Sequence, residues 1–115
     1  MAVTPRKLSN SPNGLGIVLA TAAAGTLLHT STSATGASQF DEVYLWASNR
    51  ATVSKTVTFY LGGTGSSNHV HDTLPARSGL YQIVPGLRFS GGVVVRAFAA
   101  SPGVVIVNGI VNRNA

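Results

Sequence analysis

The densest group of side chains with potential for chemistry is the sequence His69-Val70-His71-Asp72. Residues i and i+2 of a strand share a face, so a strand here would point His69 and His71 the same way. Two imidazoles on one face are half of a typical zinc site, and His29 or Asp41 could supply a third ligand. The sequence does not bring those residues near, and two exposed histidines at a loop edge explain the pair more simply. We therefore expect no bound metal.

The chain offers no convincing set of catalytic groups. Asp41 and Glu42 are adjacent, so in a strand they face opposite ways and cannot act as a paired acid and base. The only other acid is Asp72, and there is no cysteine. Serine is plentiful without a Gly-x-Ser-x-Gly elbow, and the glycine-rich stretch 62–68 lacks the Gly-Lys-Ser/Thr ending of a phosphate-binding loop. We expect no catalytic residues, no cofactor and no enzymatic activity.

Aromatic side chains form the next candidate group. Tyr44 and Trp46 alternate along one apolar stretch, and Tyr60 lies in the next. Together they could form a platform for a sugar or a base, although aromatic packing across strands in the core explains them equally well. A carbohydrate-binding module that attaches to a host through Trp46 and Tyr60 therefore stays open as an alternative function.

The positive charge of the chain is scattered. Eight basic residues against three acidic ones give a net charge of +5, but Arg6-Lys7 is the only adjacent basic pair. Direct nucleic-acid binding favours a clustered basic patch with interleaved aromatics. We therefore expect no nucleic-acid binding and predict attraction to an acidic protein surface instead.

Residues 15–28 resemble a secretory signal peptide. The stretch is too short, and too often interrupted by glycine, to span a membrane. We expect no membrane partner.

The composition and the hydrophobic pattern indicate an all-β domain. Thirteen glycines, 44% apolar residues and 10% charged residues suit short strands joined by tight turns. About eight such strands predict a single antiparallel β-sandwich or jelly roll. The predicted strands are Gly16–Thr21, Thr26–Thr30, Phe40–Ser48, Thr56–Leu61, Val70–Leu74, Leu80–Val84, Leu87–Phe89, Val93–Ala100 and Val104–Val111, with an Ala-Ala-Gly turn between the first two.

Two pairs of these strands read as hairpins. Val93–Ala100 and Val104–Val111 are rich in β-branched residues and are separated by the turn tripeptide Ser-Pro-Gly. Phe40–Ser48 and Thr56–Leu61 form the second predicted hairpin. The run 104–107 is apolar on both faces and should be covered on both sides. Arg96, mid-strand among valines, lies either on a solvated face or against an acid across a subunit boundary.

Residues 1–14 predict an extended N-terminal arm in front of a sandwich domain at 15–115. They are polar, contain two prolines and show no periodicity. Nothing in them suggests a core, so we expect contacts with other subunits to hold them, with Arg6 and Lys7 as the charged anchors. The low charged fraction and the unbroken apolar strands also predict self-association, most simply as a trimer.

Three segments of the chain together resemble a known class of proteins. They are Phe40-Asp-Glu-Val-Tyr-Leu-Trp-Ala-Ser-Asn49, then Pro75-Ala-Arg-Ser-Gly-Leu-Tyr-Gln-Ile-Val-Pro-Gly86, then Val95-Arg-Ala-Phe-Ala-Ala100 with Val107-Asn-Gly-Ile-Val-Asn-Arg113. This arrangement is similar to that of small structural proteins of tailed bacteriophages, of the capsid decoration or cement type. The resemblance covers roughly residues 15–113.

The resemblance implies a β-sandwich or jelly roll that sits as a trimer on the capsid exterior and clamps neighbouring major capsid proteins. It implies a location on the virion surface after synthesis in the host cytoplasm, and it carries over no catalytic residue. Similar small β-proteins also serve as head fibres and as tail or adaptor components, which remain alternatives. The predicted contact residues toward the capsid or a neighbouring subunit are Arg6, Lys7 and Arg96.

Overall fold

The computed structural model describes residues 3–21, 25–63 and 65–115, and these form nine strands and a short 3-10 turn at Ser66–Asn68. The all-β prediction is confirmed. Most of the predicted Ala-Ala-Gly turn lies outside the described residues. The strands are β1 (Val3–Lys7), β2 (Ile17–Val18), β3 (Thr26–Thr30), β4 (Phe40–Asn49), β5 (Lys55–Leu61), β6 (His69–Leu74), β7 (Tyr81–Phe89), β8 (Val94–Ala99) and β9 (Val105–Asn114).

Eight of the strands pair in a nested order, the first with the last. The pairs β2–β9, β3–β8, β4–β7 and β5–β6 are all antiparallel. They form two sheets: a five-stranded sheet ordered β1-β9-β4-β7, with β2 also on β9, and a four-stranded sheet ordered β3-β8-β5-β6. This nesting is the jelly-roll arrangement, in which one long antiparallel ribbon rolls into a sandwich.

Both predicted hairpins are wrong, because their strands belong to opposite sheets. β8 pairs with β3 and β5, whereas β9 pairs with β1, β2 and β4. In the same way β4 pairs with β7 and β9, and β5 pairs with β6 and β8. Two strands with one apolar face each can bury those faces by facing each other across the core as well as by pairing edge to edge. The turn residues between two such strands are compatible both with a hairpin and with a crossing from one sheet to the other.

The core lies between the two sheets and follows the alternation of the strands. In β4 the side chains of Val43, Leu45 and Ala47 point inward and are fully buried. Tyr44 and Trp46 point outward, so they do not pack in the core. Each large apolar side chain buried in this way contributes roughly 1.5–3 kcal/mol. In β9, Val105 and Val107 are buried while Ile106 is only half-buried, so full coverage on both sides does not hold.

The N-terminal segment is part of the sandwich in its described residues. β1 pairs with β9 along the edge of the five-stranded sheet, and Leu8, which follows it, is 2% exposed in the core. The next two residues then reach the other sheet. The Ser9 hydroxyl accepts a hydrogen bond from the Thr30 amide (2.8 Å), and the Asn10 amide donates to the Leu28 carbonyl (3.2 Å). The expectation that other subunits must hold this segment is therefore wrong: it closes one edge of its own domain.

Among the described residues, no helix has the length and apolar character needed to cross a membrane.

Candidate functional site

A cleft of about 620 Å³ opens beside β1, where the N-terminal segment crosses from one sheet to the other. Arg6 and Lys7, the two predicted contact residues of this segment, both line it. The Lys7 ammonium donates a hydrogen bond to the Pro12 carbonyl (2.9 Å) across the cleft. His29 and Arg113 complete its charged or titratable lining, and none of the described residues that line it carries a carboxylate. The cleft is therefore a cationic surface feature.

A buried carboxylate lies behind the cleft and holds its inner residues in place. Asp41 is fully buried and accepts four hydrogen bonds. Two come from the Arg113 guanidinium (2.7 and 2.9 Å), one from the His29 ring (2.7 Å) and one from the Thr32 amide (3.1 Å). Asp41 belongs to β4, Arg113 to β9 and His29 to β3. The Asp41 cluster, defined as these three side chains, thus ties the two sheets together.

His29 is held on both of its ring nitrogens. The Ser9 amide donates to Nδ1 (3.0 Å), so Nδ1 is an acceptor and the ring proton resides on Nε2, which donates to Asp41. The side chain is about 2% exposed. A general base needs a free nitrogen within reach of the proton that it removes. In this arrangement His29 offers none, so the His29–Asp41 pair braces the fold and does not form a catalytic dyad.

Charge compensation keeps Asp41 ionised despite its burial. Desolvation is the largest single influence and raises the pKa of Asp41, but the hydrogen bonds from Arg113 and His29, together with the charge of Arg113, outweigh it. The net result is a pKa below the ordinary value for aspartate. The same contact with Asp41 raises the pKa of Arg113. A buried charge that is paired and fully hydrogen-bonded avoids most of the cost of desolvation.

The sequence contained a signal for this cluster that the motif search missed. Asp41 falls on the same alternation as Val43, Leu45 and Ala47, so the pattern that predicts the core also places a carboxylate in it. A buried carboxylate requires a cationic partner. The identity of that partner, Arg113, depends on the β4–β9 register, in which Asp41 lies directly opposite Arg113.

Arg96 lies away from the cleft, on the outer face of the four-stranded sheet. In β8 it is half-buried and stands opposite Tyr60 of β5 and Leu27 of β3. Among the described residues it has no ion pair with a carboxylate. The structure therefore does not group Arg96 with Arg6 and Lys7, and its pairing across a subunit boundary stays a prediction.

The two histidines of β6 share a face, as expected, with ring centroids 5.5 Å apart. The His71 ring contacts the Thr58 hydroxyl (3.0 Å), and the His69 ring packs against Tyr60 (4.5 Å between centroids). His29 lies on β3, three strands away, or about 14 Å at ordinary strand spacing. No cluster of three potential metal ligands occurs among the residues that the structure describes.

The aromatic platform of Trp46 and Tyr60 does not assemble. Trp46 belongs to β4 in the five-stranded sheet, whereas Tyr60 belongs to β5 in the other sheet and is only 7% exposed. Trp46 instead lies beside Tyr44, with ring centroids 6.4 Å apart and an interplanar angle of 18°. The Tyr44 hydroxyl donates to Glu42 (2.7 Å), which also receives a bond from Arg88 (3.3 Å).

Comparison with known proteins gave no relative: no protein-family model, no curated protein and no solved structure matched the chain.

Proposed function

We propose that this chain is a structural protein of a bacteriophage particle, a decoration subunit that binds the exterior of the assembled capsid. The observation that carries the proposal is the cationic cleft of β1. Arg6 and Lys7 line it with no carboxylate beside them among the described lining residues, whereas the charge of Arg113 is balanced by Asp41. Asp41 and Glu42, two of the three acids of the chain, are used in internal ion pairs. Such a surface favours an acidic partner.

An acidic protein surface suits this cleft better than a nucleic acid. Proteins that bind single strands place aromatic rings among their basic residues so that bases can stack. No phenylalanine, tyrosine or tryptophan lines the cleft. The partner that we propose is the major capsid protein. The jelly-roll fold agrees with this role, since viral capsid proteins share that architecture, although a fold by itself does not fix a function.

Decoration would stabilise the particle through mass action. A subunit that binds only the assembled lattice, and not free capsid protein, shifts the equilibrium toward the lattice. The location on the virion surface follows from this mechanism, as does the absence of any need for a catalytic group or cofactor.

The direct test is co-sedimentation of the purified protein with undecorated capsids at increasing salt. We expect Arg6→Glu with Lys7→Glu to weaken binding by at least about tenfold at low salt, because rim charges act through long-range attraction that salt screens. The matched control is Arg50→Glu with Arg77→Glu. These arginines are exposed and lie beyond the other end of β4. Equal binding by both double variants, or no binding by the unchanged protein, contradicts the proposal.

Self-association is a second part of the proposal. Of the eight exposed large apolar side chains among the described residues, only Val53 lies away from the five-stranded sheet and its flanking segments. The others are Val3, Leu15, Val18, Leu80, Tyr81, Leu87 and Ile110. These side chains lie mainly on or just before β1, β2 and β7, and exposed apolar side chains of this kind favour contact with another copy of the chain; we propose a trimer.

Sedimentation equilibrium measures this directly. We expect the mass of a trimer at micromolar concentration and a smaller mass for Leu87→Lys, which places a charge on the apolar surface. Val53→Lys, an equally exposed valine on the connection between β4 and β5, should leave the mass unchanged. A monomer for the unchanged chain overturns the trimer without affecting the cleft.

A further inference from the structure

The outer face of the five-stranded sheet presents an aromatic ring between two carboxamides. Trp46 of β4 stands directly opposite Gln82 of β7 on one side and Asn108 of β9 on the other. Gln82 is exposed, and Trp46 and Asn108 are half-buried. Because directly opposed residues of antiparallel strands share a face, these three side chains form one row across the sheet. We call it the Trp46 row.

The carboxamides of this row are not used within the chain. Among the described residues, neither the Gln82 nor the Asn108 side chain takes part in a hydrogen bond, whereas the buried Asn49 carboxamide takes part in four. Each free carboxamide provides two N–H donors and one carbonyl acceptor. The row therefore combines an aromatic ring with donors and acceptors on both sides of it.

Tyr44, in the neighbouring row, extends the aromatic surface, and its ring lies against the sheet. Tyr44 lies two residues before Trp46, with its ring within 18° of parallel to the indole. A Cβ at Gly86 of β7 would come within 2.9–3.0 Å of the Tyr44 ring and hydroxyl, so the ring covers the backbone of that glycine. The bond from its hydroxyl to Glu42 fixes the ring further.

We propose that the Trp46 row is a binding site for a neutral glycan, with the pyranose ring on Trp46 and its hydroxyls on Gln82 and Asn108. A sugar ring is apolar on its C–H faces and polar around its rim. It therefore needs a ring to stack on and side chains that both donate and accept around it. The free carboxamides carry no charge, so the row offers hydrogen bonds but no ion pair, which suits a neutral sugar. The proposal is independent of capsid binding, which uses the cleft at β1.

A second copy of this chain is the competing occupant of the face. The exposed apolar side chains on which the proposed trimer rests lie mainly on or just before β1, β2 and β7, whereas a subunit contact over the Trp46 row would have to supply partners for two carboxamides. The glycan satisfies them with its hydroxyls, which decides between the two occupants on chemical grounds.

Trp46 is the only tryptophan of the chain, so intrinsic fluorescence reports on this site alone. The probes are maltotetraose, cellotetraose and the tetramer of β-1,4-linked N-acetylglucosamine, each titrated into the full-length protein. We expect a saturable change with at least one of them. Gln82→Ala and Asn108→Ala should each weaken that binding by about 3- to 10-fold, the value of one hydrogen bond to a neutral group. Asn68→Ala, in the 3-10 turn just before β6 and half-buried like Asn108, is the matched control.

Three results overturn the proposal. The first is the absence of a saturable change with all three oligosaccharides, and the second is a change that persists unaltered in both Gln82→Ala and Asn108→Ala. The third is a lower sedimenting mass for Gln82→Ala without any response to sugar, which would assign the face to a subunit contact. Both substituted side chains lie on the outer face, so neither variant should lose its fold.

Discussion

Asp41 and Glu42 are neighbours in β4 with the same charge and similar partners, yet the structure uses them in opposite ways. Asp41 points into the sandwich and receives bonds from Arg113, His29 and a backbone amide. Glu42 points outward to Arg88, whose side chain is 63% exposed, and to Tyr44. The Asp41 carboxylate joins the two sheets, and the Glu42 carboxylate lies on the surface of one of them. Successive side chains of a strand point to opposite faces. For that reason alone, Asp41 is part of the buried structure, whereas Glu42 can be replaced with little effect on it.

The largest expected effect comes from removing the inner carboxylate. Asp41→Ala leaves the Arg113 guanidinium and the His29 ring without their partner, and breaking a buried ion pair in this way costs about 3–5 kcal/mol. The free energy of unfolding, from urea titration followed by circular dichroism, measures the loss. Glu42→Ala is the control and should leave the midpoint nearly unchanged. Equal effects of the two substitutions would show that burial does not distinguish the two carboxylates.

The next effect tests whether the N-terminal segment belongs to the interior. Leu8 is 2% exposed, whereas Leu15, a few residues later, is 71% exposed. Leu8→Ala should destabilise the domain by about 2–5 kcal/mol through lost burial and a residual cavity. Leu15→Ala should have no measurable effect on the unfolding midpoint. An unaltered midpoint for Leu8→Ala would mean that the segment leaves the sandwich in solution, and that an independent arm describes it better.

Lowering the pH should also remove the contribution of Asp41 to the free energy of unfolding, with a smaller loss than the two substitutions above. The pKa of Asp41 is lower in the folded chain than its ordinary value of 3.8, so its contribution to stability is fully present above that pH. It is lost as the pH falls through the lowered value, because protonation then favours the unfolded chain. Urea midpoints measured from pH 6 down to pH 2 should fall most steeply below about pH 4. In Arg113→Gln the fall due to Asp41 should be smaller, because loss of the guanidinium raises the pKa of the folded Asp41 and so reduces its difference from the unfolded value.

The sequence predicted most of the strands, but it missed β1 and divided β7 into two, and it could not predict which strands become partners. Alternation separates the two faces of β4 without showing which of them is buried. A hairpin and a crossing between sheets require the same apolar faces and the same turn residues, so β8 and β9 were wrongly paired. The nested pairing depends on contacts far apart in sequence, such as β2 with β9.

The site was accessible to sequence analysis in its charges but not in its geometry. Arg6 and Lys7 stood out as an adjacent basic pair, and the structure places both in the cleft. His29 and Asp41 were considered together only as ligands for a metal near His69, because spacing could not show that they contact each other. The contact needs β3 and β4 to lie in different sheets, with Asp41 facing across the core.

The smallest expected effect is a change in the pKa of Glu42, the outward-facing carboxylate. The hydrogen bond from Tyr44 is the main reason that the pKa of Glu42 lies below its ordinary value of 4.5, with Arg88 contributing less. Tyr44→Phe keeps the ring over Gly86 but removes this donor, so the pKa of Glu42 should rise. Carboxyl carbon shifts of Glu42, followed by NMR from pH 2 to pH 7, measure the change.

The sign of the accompanying stability change follows from the lowered pKa of Glu42. Any stability lost in Tyr44→Phe should be present above the ordinary pKa of glutamate and should vanish as the pH falls through the folded value. Tyr60→Phe, on the opposite sheet, should leave the Glu42 titration untouched. If Tyr44→Phe also leaves it untouched, the Tyr44–Glu42 bond does not persist in solution. Glu42 would then depend mainly on Arg88, and its contacts would differ even more from those of the buried Asp41.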